Sequence, residues 1–141
     1  MSYWREDAQL DEIRRYADIG IKCNIASHAA IDGKRPGGRV RIGDRVTITE
    51  GCMILCHDAA GGNFGCGSKY GETIIGDNCF IGMRTVVLPG INIGAGSIVG
   101  ACSIVTKDIP AGQVWAGNPA KFICTIEEYK KKHGTVTKES R

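Results

Sequence analysis

The residue best suited to chemistry in this chain is a histidine at a break in an otherwise regular pattern. His57 stands in the segment Ile54-Leu-Cys-His-Asp58, just before a stretch rich in glycine. A neutral imidazole can remove the proton of a hydroxyl group near neutral pH, which turns a weak nucleophile into one that attacks a carbonyl. His28 and His133 are interpreted as surface residues. Asp58 adjoins His57, but an aspartate in a turn is equally well explained by a local Asx hydrogen bond.

The seven cysteines do not predict a disulfide framework or a metal centre. Their number is odd and no CxxC pair is present. Cys23, Cys52 and Cys79 occupy equivalent positions of a repeat, and we interpret them as buried, inert thiols. Cys56 and Cys66, with His57 beside the first, are the only pair with a claim to a metal. A tetrahedral site needs more ligands than that loop offers, so no metal is expected.

The elements that must position His57 follow a period of six residues. Every sixth residue from Ile75 to Val105 is Ile or Val, and a glycine or a small residue follows most of them. This period is not the 3.6 of a helix, and it fits strand alternation only if a corner interrupts the strand in every hexad. Glycines at fixed phase are expected to form these corners through positive φ. The pattern predicts a parallel β-helix with one short strand per hexad.

The same hexads extend towards the N-terminus and give one domain over residues 1–141. They begin at Ile19 and fall into blocks of three, three and six, which predicts an all-β prism of about four triangular coils over 19–109. Loops over 33–41 and 57–72 separate the blocks. Residues 1–18 are expected to form a cap with a helix over Asp7–Tyr16, and residues 110–141 a return segment and a helix that begins after Thr125. Thr135–Arg141 is expected to be a frayed tail.

Composition sets limits on the kind of protein. Twenty glycines and 6% aromatic residues suit a slim solenoid better than a bulky globule. The net charge of +3 does not argue for nucleic acid. No stretch resembles a signal peptide or a membrane span, so a cytoplasmic location is the default expectation. The first loop has a basic face, which could meet an acidic sugar or a nucleotide-linked one, although solvated loop charge is the more common explanation: Lys34, Arg35, Arg39, Arg41.

The hexads, together with Val105-Thr-Lys-Asp-Ile-Pro110 and Gly117-Asn-Pro-Ala-Lys121, resemble the hexapeptide-repeat acyltransferases. The galactoside, maltose and polysaccharide O-acetyltransferases are the most similar by pattern, and the resemblance covers about residues 19 to 124. It implies a left-handed parallel β-helix, homotrimers, and acetyl-CoA sites in grooves between subunits. It therefore implies an acetyl-CoA-dependent O-acetyltransferase acting on a hydroxyl of a sugar or glycan intermediate.

The resemblance also implies roles for individual residues. His57 matches the catalytic general base, and a backbone N–H near Gly82-Met83 matches the oxyanion donor. The cofactor-binding positions are Met83, Ala101, Thr106, Lys107 and Lys121. The two lysines suit the phosphates of CoA, since charge-assisted contacts hold anions well. Cys124 stands where galactoside-type members carry a basic residue, and Lys130–Lys132 could substitute for it.

Other functions on this architecture remain open at the level of sequence. An N-acyltransferase of a nucleotide-linked amino sugar would use the same fold and base. A serine O-acetyltransferase usually carries a large helical N-terminal region, which is absent from these 141 residues. A γ-type carbonic anhydrase needs a closely spaced histidine pair, and the three histidines here contain none. A noncatalytic trimeric assembly module is the last alternative.

Overall fold

The protein folds into a three-sided prism of short parallel strands between two helices. The structure is a computed structural model that describes residues 2–134. The chain passes through three sheets in turn, which we call the first, second and third faces. The first face contains β1 (Asp18–Ile19), β4 (Arg39–Ile42), β9 (Glu72–Ile75) and β12 (Asn92–Ile93). The third contains β3 (Ala30–Ile31), β6 (Met53–Ile54), β11 (Val86–Val87) and β14 (Ile104–Val105).

The second face is longer, because a hairpin extends it. It contains β2 (Asn24–Ile25), β5 (Thr47–Ile48), β10 (Phe80–Ile81), β13 (Ile98–Val99), β15 (Gln113–Gly117) and β16 (Ala120–Thr125). All of its strand pairs are parallel except β15 with β16. The expected return segment is therefore an antiparallel hairpin, which the sequence pattern did not predict. Its turn lies within Gly117-Asn-Pro-Ala120, the motif that follows the last hexad.

The predicted interior column is confirmed. Ile25, Ile48, Ile81 and Val99 stack in register on the second face, and none has any exposed surface. The corresponding residues of the other faces are also buried except Ile19, which lies in the first strand and is only partly covered. Burial of each such side chain stabilises the fold by roughly 1.5–3 kcal/mol relative to exposure. The prism is thus held by a column of aliphatic side chains one residue wide on each face.

The structure corrects our explanation of the corners. Glycines that follow the interior residue, such as Gly76 and Gly82, do not have positive φ. A Cβ at these positions would lie 2.6 Å from the backbone N of Ala95 and 2.5 Å from that of Ala101. They are required because the next coil approaches too closely for a side chain. Positive φ occurs two residues later, mostly at residues other than glycine: Lys22, Arg45, Asn78, Arg84, Cys102.

Helices lie at both ends of the prism, with bounds slightly different from those expected. α1 spans Asp7–Arg14 and buries Leu10 and Ile13. Its N-cap is Glu6 rather than Asp7, because Glu6 and Gln9 form a capping box, and the helix ends before Tyr16. α2 spans Ile126–His133, and the backbone N–H of Glu128 donates to the Thr125 hydroxyl at 3.2 Å, as predicted. Neither helix of residues 2–134 is long and apolar enough to cross a membrane. The expected tail lies outside the described residues.

Both excursions leave the prism at the corner between the third and first faces, which we call corner C. They are shorter than the predicted 33–41 and 57–72, since Arg39 and Glu72 already pair within β4 and β9. The strands begin early because Val40 and Thr73, which pair with each other on the first face, are both fully buried. The second excursion is itself structured. It contains the antiparallel strands β7 (His57–Asp58) and β8 (Lys69–Tyr70), with a 3₁₀ helix over Ala60–Phe64 between them.

Candidate active site

His57 lies at corner C, where the chain leaves the third face after β6. The residue is the first of β7 and pairs with Tyr70 of β8. The two rings are nearly parallel, with centroids 6.4 Å apart and planes inclined by 22°. The His57 side chain is 29% exposed, so one edge of the imidazole is open to a bound molecule. The hairpin therefore fixes the ring at the surface without placing it in the core.

Asp32 holds the other edge of the imidazole, and sequence reasoning missed it. Its Oδ2 atom lies 2.5 Å from His57 Nδ1. The residue directly follows β3, the third-face strand of the preceding coil, and its backbone N–H donates to Ile54 O at 2.9 Å. Asp58, the neighbour considered from the sequence, accepts instead from the backbone N–H of Ala60 at 2.9 Å, which is an Asx turn. The orienting carboxylate thus comes from the coil above and not from the adjacent residue.

The surroundings of Asp32 keep this carboxylate ionised. Burial by itself would raise the pKa, but hydrogen bonds from the Cys56 N–H, His57 and Arg35 outweigh it and hold the pKa of Asp32 well below its usual range. The Cys56 N–H and Arg35 Nη2 donate at 3.0 and 3.3 Å. An ionised carboxylate can only accept, so Nδ1 of His57 carries the proton. This tautomer leaves Nε2 as the unprotonated nitrogen at the open edge.

The four buried cysteines are protonated thiols and not nucleophiles. Burial and the charge of Asp32 raise the pKa of Cys56 to about 11, and its Sγ lies 3.2 Å from Gly33 O. Burial also raises the pKa values of Cys23, Cys52 and Cys79, in agreement with the expectation of inert thiols. Cys66 is exposed in the excursion, with its Sγ 3.6 Å from Phe64 O. It does not join Cys56 and His57.

Three of the five predicted cofactor residues line one cavity. Thr106 and Lys107 follow the last third-face strand at corner C, and the hairpin brings Lys121 beside them. The cavity has a volume of about 190 Å³, and Trp115 and Phe122 form part of its wall. It lies two coils from His57, a rise of about 10 Å. The arrangement provides two cations and an aromatic surface at the same corner as the histidine.

Met83 and Ala101 lie elsewhere, at the corner between the second and third faces, which we call corner B. They occupy equivalent positions in successive coils, and Cys102 N donates to Met83 O at 2.7 Å. Met83 is 47% exposed, and its own N–H donates to no acceptor among residues 2–134. Corners B and C are the two edges of the third face. Within one chain, the structure therefore separates these two residues from His57.

The remaining candidates make local contacts. Arg35, Arg39 and Arg41 form ion pairs with Asp32, Asp18 and Glu72 respectively. These carboxylates offset most of the basic face that the sequence indicated on the first loop. His28 Nδ1 lies 2.8 Å from Glu50 Oε1 at corner B and is largely exposed. His133 lies in α2 beside Tyr129.

Comparison of the sequence with known proteins identifies relatives among the hexapeptide transferases. The family model described as bacterial transferase hexapeptide (six repeats) matches residues 72–107. Protein CapG of Staphylococcus aureus is 39% identical over 132 residues, which cover 86% of this chain and 74% of CapG.

Two solved structures have the same fold. A galactoside acetyltransferase in complex with coenzyme A is 31% identical, with a TM-score of 0.64 over 80% of this chain and 56% of the other. A maltose O-acetyltransferase from Clostridium difficile is 26% identical, with a TM-score of 0.65 over 86% and 76%.

The chain therefore belongs to the hexapeptide-repeat acyltransferases. This membership defines a class of enzyme and leaves the acceptor open, since one fold serves many substrates.

Proposed function

We propose that this protein transfers the acetyl group of acetyl-CoA to a hydroxyl of a sugar or glycan intermediate, with His57 as general base. The observation that carries the proposal is the 2.5 Å contact between Asp32 Oδ2 and His57 Nδ1 at an open corner of the prism. A carboxylate in this position fixes the tautomer and stabilises the imidazolium that forms during proton transfer. The complex of the similar galactoside acetyltransferase with coenzyme A supports CoA as the carrier.

The proposed reaction uses both edges of the imidazole. Nε2 takes the hydroxyl proton as the oxygen attacks the thioester carbonyl, and a tetrahedral oxyanion forms. A backbone N–H is the expected donor to this oxyanion, and the candidate is the N–H of Met83, which has no acceptor within residues 2–134. Collapse of the intermediate breaks the C–S bond, and the imidazolium returns its proton to the CoA sulfur. Asp32 stays ionised throughout and offsets the positive charge on the ring.

An acceptor screen tests this function. The purified chain is incubated with acetyl-CoA and matched hydroxyl sugars and amino sugars, and release of free CoA thiol is followed together with the mass of the product. We expect acetyl esters that are cleaved by mild base. Formation of amides alone would favour the N-acyltransferase alternative, and no transfer to any acceptor, combined with no CoA binding, would contradict the enzymatic assignment.

We expect the cavity lined by Lys107 and Lys121 to hold the phosphates of CoA. Lys121→Ala is expected to weaken CoA binding by roughly 1–3 kcal/mol, because a charge-assisted contact to phosphate is lost. The matched control is Lys69→Ala, an exposed lysine of β8 outside this cavity. Isothermal titration calorimetry with CoA measures both variants. Equal affinity of the two would place the phosphates elsewhere, and the lysines of α2 would be tested next.

We also propose a homotrimer built on a left-handed prism of about four coils. The outward residues of the third face form an apolar column across all four strands: Ala30, Met53, Val86, Ile104. Met53 is 47% exposed in the single chain. Packing of this face against a second copy would cover the column and bring corner B of one subunit towards corner C of the next. Met83 and Ala101 would then join His57 in one intersubunit groove.

Light scattering tests the trimer. Three chains of 15.1 kDa give a particle of roughly 45 kDa. Met53→Glu is expected to lower this mass, because it places a charge on the apolar column. Asn24→Glu serves as the control, because Asn24 is an exposed outward residue of β2 on the second face, away from that column. A native protein that remains a 15.1 kDa monomer at micromolar concentration would exclude an active site shared between subunits.

A further inference from the structure

Three different ligand atoms meet behind His57. Asp32 Oδ2, Cys56 Sγ and His57 Nδ1 lie within 4.8 Å of one another. The sequence offered Cys66 as the partner of Cys56 and His57, but Cys66 is exposed in the excursion and does not belong to this group. The third ligand instead comes from the preceding coil. The fold therefore replaces Cys66 with Asp32 and brings the three ligand atoms together.

The group has the composition and rigidity of a zinc site. Thiolate sulfur, imidazole nitrogen and carboxylate oxygen are the three donors that Zn²⁺ prefers, and three protein ligands leave a fourth position for water. Asp32 is held by the N–H groups of Gly33 and Cys56, both at 3.0 Å. Cys56 is fully buried and His57 is 29% exposed, so the open position faces the solvent on the histidine side.

We propose that Asp32, Cys56 and His57 bind Zn²⁺ as a reversible inhibitor. The ion replaces the proton that Nδ1 now shares with Asp32, and this proton moves to Nε2. The thiol of Cys56 loses its proton to solvent, so binding releases one proton in total. The distance between His57 Nδ1 and Asp32 Oδ2 increases from 2.5 Å to roughly 3–4 Å, which is the separation of two ligand atoms on one tetrahedral ion.

The inhibition follows from the tautomer. With the metal on Nδ1, Nε2 carries the proton and cannot accept one from an acceptor hydroxyl, so this part of the inference rests on the proposed function. Arg35 opposes the metal, because its guanidinium lies 3.3 Å from Asp32 Oδ1. It occupies the carboxylate oxygen that faces away from the group, and Oδ2 stays available to the ion.

Binding is measured on the full reduced chain without CoA. Calorimetry with Zn²⁺ should give one ion per chain. Co²⁺, used as a spectroscopic substitute, should produce a sulfur-to-cobalt charge-transfer band. Cys56→Ser removes the sulfur and keeps the backbone N–H that holds Asp32. It is expected to abolish the band and to weaken zinc binding by more than the roughly 10–100-fold that loss of an outer-shell partner costs. Cys66→Ser is the matched control and should bind as the native chain does.

The outcomes separate this inference from the proposed function. Native-like zinc affinity in Cys56→Ser, or a cobalt spectrum without the charge-transfer band, would overturn the site. Equal loss in Cys66→Ser would also overturn it, because the ion would then lie in the excursion. In the acetyl-transfer assay, zinc should slow the native chain more than Cys56→Ser, with each compared to its own zinc-free rate. If no preparation transfers acetyl groups, the proposed function fails, while calorimetry still decides the metal site.

Discussion

His57→Ala is expected to lower kcat by roughly 10²–10⁴-fold, the usual contribution of a positioned general base. CoA binding and the melting temperature should stay close to native, because the ring lies at the surface of corner C and outside the interior column. The pH profile of native kcat should rise with pH, since only a neutral imidazole can accept a proton. Steady-state kinetics at saturating substrate measure the effect.

The matched control for this variant is His133→Ala, which removes an exposed histidine of α2. It should leave kcat unchanged. A second interpretation of His57 is that it only orders the excursion by packing against Tyr70. In that case, His57→Ala would lose thermal stability and acceptor affinity together while kcat stayed near native. That result would end the catalytic assignment.

Asp32→Asn is expected to lower kcat by on the order of 10²-fold or more, approaching the loss of the base itself. The neutral amide keeps the shape of the carboxylate, but it no longer offsets the charge of the imidazolium and can hold the ring in the wrong tautomer. The control is Asp58→Asn, since Asp58 accepts from the backbone N–H of Ala60 and forms no hydrogen bond with the His57 ring. Kinetics on both variants at several pH values provide the measurement. Similar rates for the two variants would contradict an orienting role for Asp32.

The same carboxylate links stability to pH. Because the pKa of Asp32 is lower in the folded protein than its usual value, the ionised group stabilises the fold fully above pH of about 4. This contribution to the free energy of unfolding is lost progressively as the pH falls below that value. Asp32→Asn removes it, so the difference in melting temperature between native and variant should shrink in acid. A constant difference down to pH of about 2 would contradict this linkage.

The hexads predicted the fold because each interior position can be recognised from its own six-residue segment. The period of six identifies the interior residues, and 11 of the 12 are fully or almost fully buried, with only Ile19 partly covered. The role of the glycines was misjudged, because the phase of a repeat does not distinguish positive φ from close approach of the next coil. The hairpin of Gln113–Thr125 was missed since the period ends at Val105 and the strands pair in the opposite direction.

Asp32 was missed because its partner is 25 residues away in the chain. A signal was nevertheless present in the sequence. Stacking the first block on the second pairs Ile31 with Ile54, and the residues that follow both are then neighbours at corner C. Register between coils would therefore have placed Asp32 beside the segment that contains His57. The hydrogen bond itself depends on the path of the excursion, which hexad spacing does not determine.

The placement of both excursions at corner C has a consequence for how such a chain can diversify. A residue inserted into a two-residue strand would turn an interior Ile towards solvent, because strand side chains alternate. A residue inserted into 33–38 or 59–68 changes no strand register. The strands before these excursions (β3 and β6) and those after them (β4 and β9) pair through their own backbone hydrogen bonds. Changes of loop length at these two places therefore reshape the surroundings of His57 and leave the strands that carry Lys107 and Lys121 in register. New acceptor preferences can thus arise by loop exchange at one corner, and a protein engineer could graft loops at the same place.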